Sequence, residues 1–417
     1  MQLVEQHRID RNDPHWKAID EATFLSKNLF NTALYVMRQQ FIANHYVIPY
    51  EELDLILSVT AQYQALPRKV AQWVLRQVTD AWKSYQAACA EYRLHPDKFK
   101  GHPKLPKYLD KEGRNLLVYT DQAVSRDPKN AGWIVPSGVA IRVPTKIPHA
   151  QMDQVRLVPK STHYVVEVVY TVEPKPLPLD PTLIASIDIG VNTLAAITAN
   201  KPGFVPLLVN GRPLKSLNQG YNKRRAKMQA KLPKETYDSR ALDHLVDHRR
   251  RSILYYLHVA SRAIIDLLVQ EHIAVLVVGK NDFWKQEVQM GKKNNQSFVF
   301  IPHAIFIAML QYKAALVGIT VVTVQESHTS KCSFLDLEPI GHHDHYLGKR
   351  VKRGLFVAKN GQAIHADVNG SYNILRRFAP EAFAQGVASC VVRPEPLRLP
   401  DRHQDKSKQR VCRKASA

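Results

Sequence analysis

Three acidic residues stand at the ends of predicted strands or at a predicted helix start, where a fold can gather side chains into one site. Asp188 ends a buried strand beside Ile187, Glu326 follows the strand over 319–325, and Asp367 lies at a helix start. A carboxylate on a buried strand loses hydration energy unless it is paired or bound to a metal ion. The sequence therefore predicts that these acids act together.

Clustered carboxylates are what a pair of Mg²⁺ ions requires, because two ions about 4 Å apart must be neutralised and held by hard oxygen ligands. The fourth predicted strand of this part of the chain, over 273–278, ends at Gly279, which cannot bind metal. Asp282 follows in the loop. Glu326 ends the neighbouring fifth strand. We therefore predict that Asp188, Glu326 and Asp367 form an acidic triad that binds two Mg²⁺ ions.

Each acid also has a simpler structural interpretation. Asp188 could cap the turn over 190–192, which is a common role for Asp. Asp367 could be the N-cap of its helix. Glu326 could be a surface acid at a strand end, and the site would then be inactive. The sequence alone leaves these alternatives open.

The helix that begins near Asp367 carries small and amide side chains on its first turn. These are Asn369, Gly370 and Asn373. Such residues leave space beside a carboxylate, and we expect a phosphodiester to fit there.

The chain is strongly basic, since 58 Lys and Arg residues face 37 Asp and Glu residues among 417, giving a formal net charge of +21. This surplus favours a nucleic-acid partner over an ordinary basic enzyme. No lipidation motif, bilayer-length apolar run or signal peptide is visible, so we expect no membrane partner. The four cysteines form no CxxC pair, which fits a reducing compartment.

The first part of the chain changes from helical to strand-like patterns. Apolar residues recur at helical spacing over 16–45 and 67–93. PKLPKY at 103–108 is typical of an extended connector, and the pattern over 155–173 predicts a hairpin. Four prolines over 173–182 indicate a domain boundary.

The remainder is mixed α/β. The predicted elements are a three-stranded meander, a basic helical stretch, and then strand, helix, strand and helix: 183–189, 193–198, 204–210, 211–262, 273–278, 303–316, 319–325 and a helix from Asp367. This is the order of an RNase H-like fold. Beyond Ala379 the periodicity is lost.

Basic residues are grouped in predicted helices and loops, where each contact with phosphate releases counterions. The alternative for any such group is a solvated face. We predict these nucleic-acid contacts: Lys69, Arg76, Lys215, Lys223, Arg224, Arg225, Lys227, Arg249, Arg250, Arg251, Lys285, Lys292, Lys293, Lys349, Arg350, Lys352 and Arg353.

Five stretches resemble the TnpB family, the transposon-associated RNA-guided nucleases related to type V CRISPR effectors and to the eukaryotic Fanzor proteins. They are IDIGVNTLAAIT (187–198), LKSLNQGYNKRRAKMQAKL (214–232), VVGKNDFWKQEVQMGKKNNQSFVFIP (277–302), ESHTSKCSFLDLEPI (326–340) and YLGKRVKRGLFVAKNGQAIHADVNGSYNILRR (346–377). The first and third family acids carry over as Asp188 and Asp367. The second is absent at Gly279, and the resemblance is to a subset with a displaced glutamate, which matches Glu326.

The resemblance implies an α+β multidomain protein. The short strand-like runs predict a small antiparallel β-barrel, and the basic, aperiodic end of the chain predicts a disordered tail. Together with the resemblance, the predicted domains are a wedge-like β-barrel (1–12 and 108–174), a helical recognition domain (13–107), an RNase H-like (RuvC) α/β nuclease domain (175–378) with a loop insert (327–361), and the basic, disordered tail (379–417). The implied activity is Mg²⁺-dependent, RNA-guided cleavage of DNA in the cytoplasm of a prokaryote, at the nucleoid. The implied partners are a guide RNA from the transposon end and double-stranded target DNA. A monomer is compatible with the resemblance, and the sequence leaves the oligomeric state open.

The family often has a four-cysteine zinc ribbon between its second and third motifs. Here only Cys332 lies in that stretch, beside His342, His343 and His345. One cysteine with a crowded histidine cluster is poor tetrahedral geometry, so we expect no zinc ion.

Three rival functions stay open at this point. A nuclease-dead, RNA-guided repressor would differ only in whether Glu326 completes the site. A guide-free nuclease of resolvase type would not need the large basic N-terminal half. A DNA-strand transposase is disfavoured by the resemblance.

Overall fold

The computed structural model describes residues 1–280, 301–384, 386–387 and 390–400. The chain divides into two compact units, Met1–Glu173 and Pro174–Ala417. Several residues singled out from the sequence lie outside the described residues: Asp282, Lys285, Lys292 and Lys293.

The N-terminal unit combines helices with two small sheets. Its elements are β1 (Gln2–Ile9), α1 (Trp16–Asn44), α2 (Tyr50–Leu57), α3 (Ala61–Gln64), α4 (Arg68–Leu94), β2 (Leu117–Thr120), β3 (Trp133–Ile134), β4 (Val143–Pro144), β5 (Met152–Pro159) and β6 (Tyr164–Thr171). Helix α4 buries Val70, Val74 and Val78, one turn apart, because apolar residues at this spacing share one helix face. Helices α1 and α4 confirm the two helical segments predicted from apolar spacing.

An antiparallel sheet in the order β1-β6-β5-β2 packs beside these helices. Strands β5 and β6 form the predicted hairpin, and Lys160 N–H donates to the His163 carbonyl across its turn. The sequence predicted a small barrel here. Within residues 1–173, all of them described, β1 and β2 are the two edges of an open sheet, because β3 and β4 pair only with each other.

The C-terminal unit follows the predicted order of strands and helices. Its elements are β7 (Asp180–Ile189), β8 (Thr193–Ala199), β9 (Leu207–Asn210), α5 (Arg212–Gln229), α6 (Arg240–Gln270), β10 (Ile273–Gly279), α7 (His303–Val317), β11 (Thr320–Val324), β12 (Lys349–Lys352), β13 (Leu355–Val357), β14 (Ala363–Ile364), α8 (Ala366–Phe378) and β15 (Glu395–Pro396). Strands β12 and β13 lie within the predicted loop insert (327–361), and they form a separate small sheet with β14, which follows the insert.

The central sheet has the order β11-β10-β7-β8-β9-β15. Strand β10 runs parallel to both β7 and β11, whereas β8 is antiparallel to both of its neighbours, β7 and β9. Helix α8 packs across β7, β8 and β10. The carboxyl ends of β7, β10 and β11 therefore meet at one edge of the sheet, beside the start of α8.

Helix α6 is long and apolar enough to cross a membrane by length and composition alone. In the folded unit its residues Ile253, Leu257 and Ile264 are buried in the core beneath the sheet. Packing in a protein core therefore accounts for its apolar face.

For residues 379–384 and 390–400, the structure corrects the interpretation of the tail as disordered. A short 3₁₀ turn, Pro380–Phe383, buries Phe383 against Phe334 and Tyr372, with ring centroids 5.0 and 6.0 Å apart. Strand β15 then pairs in parallel with β9. Isolated apolar anchors and one strand pairing order this stretch, and neither produces a periodic sequence pattern. Residues 401–417 lie outside the described part of the chain.

Candidate active site

The three predicted acids come from the sheet edge and helix start that the fold brings together. Asp188 is the penultimate residue of β7. Gly279, the last residue of β10, is paired with Val324 of β11, and Glu326 follows two residues later. Because these strands are parallel, Glu326 reaches the edge at which β7 and β10 end.

The third acid lies in the first turn of α8. The N-cap of this helix is His365, whose Nδ1 accepts from the Asp367 N–H at 3.3 Å. Asp367 is therefore not the N-cap, which was the alternative interpretation of this residue. A carboxylate in the first turn is stabilised by the helix dipole.

Two glycines make room for the carboxylates. A Cβ atom added at Gly279 would lie 2.7 Å from Glu326 Oε2, and one added at Gly370 would lie 2.6 Å from Asp188 Oδ2. Both distances are too short for a real side chain. The carboxyl group of Glu326 thus lies in the space that a side chain at position 279 would enter.

The acids influence one another electrostatically. Burial raises the pKa of Asp188, and the nearby charges of Glu326 and Asp367 raise it further, while Arg350 acts in the opposite direction. Burial also raises the pKa of Glu326 to about 7. Ionising Asp188 and Glu326 together is therefore costly in this structure, and a bound cation would favour their charged forms.

The donor set suits Mg²⁺, since three carboxylates offer only hard oxygen ligands. Among the residues that the structure describes, no three His, Cys, Asp or Glu side chains form a group arranged to hold a metal ion. The predicted binding of two Mg²⁺ ions therefore stays a prediction, supported by the chemistry of the donors and by the raised pKa values of Asp188 and Glu326.

A cleft of about 150 Å³ opens beside two of the acids, Asp188 and Asp367. It is lined by Asp188, Asp367, Arg350 and Arg353, together with the 190–193 turn. Arg350 Nη2 lies 3.3 Å from Asp367 Oδ1. The sequence pattern predicted the two arginines only as phosphate contacts of the insert, whereas the structure places them in one cleft with Asp188 and Asp367. The available signal was a basic cluster that ends only 14 residues before Asp367.

The amides of α8 do not serve the purpose predicted for them. Asn369 is buried, accepts from the Phe334 N–H at 2.9 Å and donates to the Cys332 carbonyl at 2.9 Å. Asn373, also buried, donates to that carbonyl at 2.8 Å. Both therefore hold the loop after Glu326 against α8 instead of leaving space for a phosphodiester.

The cysteine of the insert is a packed core residue. Cys332 is fully buried and its Sγ lies 3.6 Å from the Gly341 carbonyl. Burial raises the pKa of its thiol, which disfavours the thiolate that zinc binds. The expectation of no zinc ion stays a prediction.

The basic residues differ in their surroundings. Most of those predicted to contact nucleic acid are exposed: Lys69, Arg76, Lys223, Arg224, Arg225, Lys227, Arg250, Arg251, Lys349, Arg350, Lys352 and Arg353. Lys215 is half-buried. On α6, Arg251 pairs with Asp247 at 3.2 Å.

Arg249 differs from the prediction. It is partly buried, its Nε donates to Asn218 Oδ1 at 2.7 Å, and its guanidinium lies 4.9 Å from the centre of the Tyr221 ring. These contacts hold α6 against α5, because Asn218 and Tyr221 are buried residues of α5. The placement gives Arg249 a packing role within the unit.

The raised pKa of Glu326 predicts a pH dependence of stability. The folded state retains a proton on Glu326 between its ordinary pKa of 4.5 and about 7, whereas the unfolded state releases it. The free energy of unfolding should therefore fall as pH rises through this range without divalent cations. Urea unfolding in chelator at several pH values measures it. Glu326→Gln should flatten the dependence, whereas Glu381→Gln, at an exposed acid, should not. Equal slopes in wild type and Glu326→Gln would contradict the expectation.

Fold and site together define a multidomain, mixed α/β protein with an acidic site at the carboxyl ends of its parallel strands. Two family models match parts of the chain between residues 167 and 374. The model of a probable transposase, OrfB_IS605, matches residues 167–284, and that of the Cas12f1-like TNB domain matches residues 303–374.

One individual protein is also similar to this chain in sequence. The TnpB-like protein ORF457 of Acidianus two-tailed virus is 26% identical in an alignment 208 residues long, which covers 46% of this chain and 41% of the viral protein. The chain thus spans about two fifths of the length of this curated relative. These findings confirm the resemblance to the TnpB family that the sequence motifs indicate.

A solved structure supports the fold. The chain in the cryo-EM structure of a Cas12f1–sgRNA–target DNA complex is 13% identical, with a TM-score of 0.53, over 86% of this chain and 82% of that one. At this identity the likeness shows the fold alone.

Proposed function

We propose that this protein is an RNA-guided DNA endonuclease of a transposon, which hydrolyses phosphodiester bonds at a site built on Asp188, Glu326 and Asp367. The observation that carries the proposal is the position of Glu326. Its carboxyl group lies 2.7 Å from the place of a Gly279 Cβ, at the strand end where an acid is missing. The sheet order, with a meander followed by two parallel strands, supports an RNase H-like domain.

The three carboxylates would hold two Mg²⁺ ions, which when bound supply charge neutralisation and polarise the phosphoryl group. Arg350 and Arg353 add positive charge to the cleft that Asp188 and Asp367 line, where a phosphodiester would need it. Asp367 is neutralised by Arg350 in the structure. If Asp367 held a cation instead, Arg350 would be available to contact a phosphate.

The nucleic-acid partners follow from charge and family. The excess of 21 positive charges suits a guide RNA and a double-stranded DNA target. The solved Cas12f1 chain was bound to sgRNA and target DNA. In such proteins base pairing with the guide reads the sequence, while the protein contacts the backbone and a short adjacent motif. We propose the same division here.

The nuclease-dead alternative has one observation in its favour, the ion pair that already occupies Asp367. Two experiments distinguish the endonuclease from the nuclease-dead repressor. RNA that copurifies with the protein is sequenced, and cleavage of a plasmid that matches this RNA is then measured. A defined guide RNA with Mg²⁺-dependent cutting supports the endonuclease. A guide RNA without cutting supports a repressor, and absence of a defined RNA overturns the guided function.

RNA binding should depend steeply on salt, and neutralising Lys223, Arg224 and Arg225 together should flatten that dependence. All three are exposed on α5. Each phosphate contact contributes roughly 0.7 to 0.9 to the log–log slope, so three lost contacts should lower it by about two. Filter binding of the copurified RNA between low and moderate salt measures the slope.

The matched control removes three exposed cations that are already paired with carboxylates. Lys98 pairs with Glu91, Arg126 with Asp121 and Arg262 with Asp266. Changing these three to glutamine should leave the slope nearly unchanged. An unchanged slope in the α5 variant would mean that this helix faces solvent or protein in the RNA complex.

A further inference from the structure

A cluster of three buried hydroxyl groups joins the strand that carries Asp188 to the helix that carries Asp367. Ser186, Thr198 and Ser371 come from β7, β8 and α8, and each is fully buried. Ser186 Oγ lies 2.8 Å from Thr198 Oγ1, which lies 2.9 Å from Ser371 Oγ.

The bonds of this cluster are reciprocal between sheet and helix. Ser186 Oγ donates to the Ser371 carbonyl at 2.7 Å, and Ser371 Oγ donates to the Ser186 carbonyl at 3.1 Å. Thr198 lies directly across from Ser186 in the β7–β8 pair. The cluster therefore fixes both the distance of α8 from the sheet and the rotation of α8 about its axis at this point.

Its position relative to the acids follows from local geometry. Ser186 and Asp188 are two residues apart on one strand and so point to the same face. Ser371 follows Asp367 by four residues, about one helical turn, so the two share a helix face. The hydroxyl cluster thus lies one layer of side chains inward from Asp188 and Asp367.

The gap between β7 and α8 beside Asp188 is too narrow for any side chain on the facing residue of α8. A Cβ at Gly370 would lie 2.6 Å from Asp188 Oδ2, so the backbone of α8 approaches this carboxyl group directly. Any shift of α8 on the sheet changes the distance between Asp188 and Asp367. A misplacement of about 1 Å in such a site costs on the order of a hundredfold in rate.

We infer that Ser186, Thr198 and Ser371 are positioning residues for the acidic triad, with the hydrogen bonds between their hydroxyl and carbonyl groups setting the separation of Asp188 from Asp367. The inference rests on the proposed function, because it assumes that these acids bind divalent metal. An apolar contact at this place would fill the space but would allow sliding, whereas a satisfied buried polar network specifies one arrangement.

The test compares Thr198→Val, which keeps the shape and removes the hydroxyl, with Thr198→Ser, which keeps the hydroxyl. The full chain is freed of RNA and titrated with Mn²⁺, which suits carboxylate sites. The readout is the Mn²⁺ concentration at the midpoint of thermal stabilisation. Thr198→Val and Ser371→Ala should raise this midpoint about tenfold or more, as loss of groups that orient metal ligands does. Thr198→Ser should stay close to wild type.

Ser26→Ala is the matched control for lost stability. Ser26 is a buried helical serine in the N-terminal unit, which donates to the Leu116 carbonyl and accepts from Asn115 Nδ2, both at 3.1 Å. This variant should lower the Tm without moving the Mn²⁺ midpoint. An equal shift of the midpoint in Ser26→Ala would overturn the inference, because lost stability alone would then explain the effect.

Asp188→Ala separates the inference from the function on which it rests. If Asp188→Ala raises the midpoint while Thr198→Val and Ser371→Ala bind Mn²⁺ like wild type, the positioning role is overturned and the metal site stands. If Asp188→Ala leaves the midpoint unchanged, the metal site itself is overturned, and the positioning role with it.

Discussion

Replacement of Asp188 or Asp367 by alanine is expected to abolish Mg²⁺-dependent DNA cleavage and to leave RNA binding nearly unchanged. Each change removes one of three carboxylates that share a site, so the remaining two no longer neutralise the metal pair. Metal ions supply several kcal/mol of transition-state stabilisation, and about 4 kcal/mol corresponds to roughly a thousandfold in rate. RNA binding depends on basic surfaces, which these changes leave intact.

Cleavage of a guide-matched plasmid and filter binding of the RNA measure the two effects. Asp180→Ala is the matched control, because Asp180 is an exposed acid at the opposite end of the same strand, β7. It should cut like wild type. Wild-type cutting by the Asp188→Ala or Asp367→Ala variant would instead refute the nuclease assignment.

A glutamate introduced at Gly279, the last residue of β10, is expected to restore part of the activity that is lost when Glu326 is replaced. Glu326→Ala should be inactive, and Glu326→Gln equally so, since the amide keeps the shape but not the charge. Gly279→Glu in the Glu326→Ala background places a carboxylate where Glu326 Oε2 now lies, 2.7 Å from the Gly279 Cβ position. Its main conflict is with Ile374 Cδ1 at 2.5 Å, the terminal methyl group of a fully buried side chain. Recovery should therefore be partial, and Ile374→Val should increase it.

The control variants distinguish the effect of a carboxylate charge at position 279 from the effect of filling the space beside Gly279. Gly279→Gln with Glu326→Ala fills the same volume without the charge and should stay inactive. Gly279→Ala alone should reduce activity, because its Cβ would push the Glu326 carboxyl group away from the edge. Full cutting by Glu326→Gln would show that Glu326 is not a ligand. Asp282 and Glu287 would then be the acids to test.

Much of the fold was predictable because its signals are local. Unbroken apolar runs such as 273–278 predict buried strands, and regular apolar spacing predicts α1 and α4. The order of these elements was enough to predict a meander followed by alternating strands and helices, and the C-terminal unit follows that order. The acids at element ends could likewise be named as candidates, since the ends of strands and helices are readable from pattern.

Features that depend on contacts between distant segments were not predictable. No local pattern distinguishes an arginine that packs against Asn218 from one that faces nucleic acid, so Arg249 was placed among the phosphate contacts. The order of 380–400 depends in the same way on Phe383 meeting Tyr372 and on the pairing of β15 with β9. The barrel was expected from strand content, but strand content does not say which edges pair.

The sequence by itself determined which acids stand at the ends of elements, and that the usual acid is missing at Gly279. Only the tertiary structure decided where the carboxyl group of Glu326 lies. Parallel pairing of β10 with β11 brings Glu326 to Gly279 across 47 positions of chain, and the absent side chain of the glycine leaves the space that the glutamate enters. The hydroxyl bonds between Ser186 and Ser371 span 185 positions and were likewise invisible in the sequence. Periodicity reports which face of an element is buried, but not which distant residue will cover it.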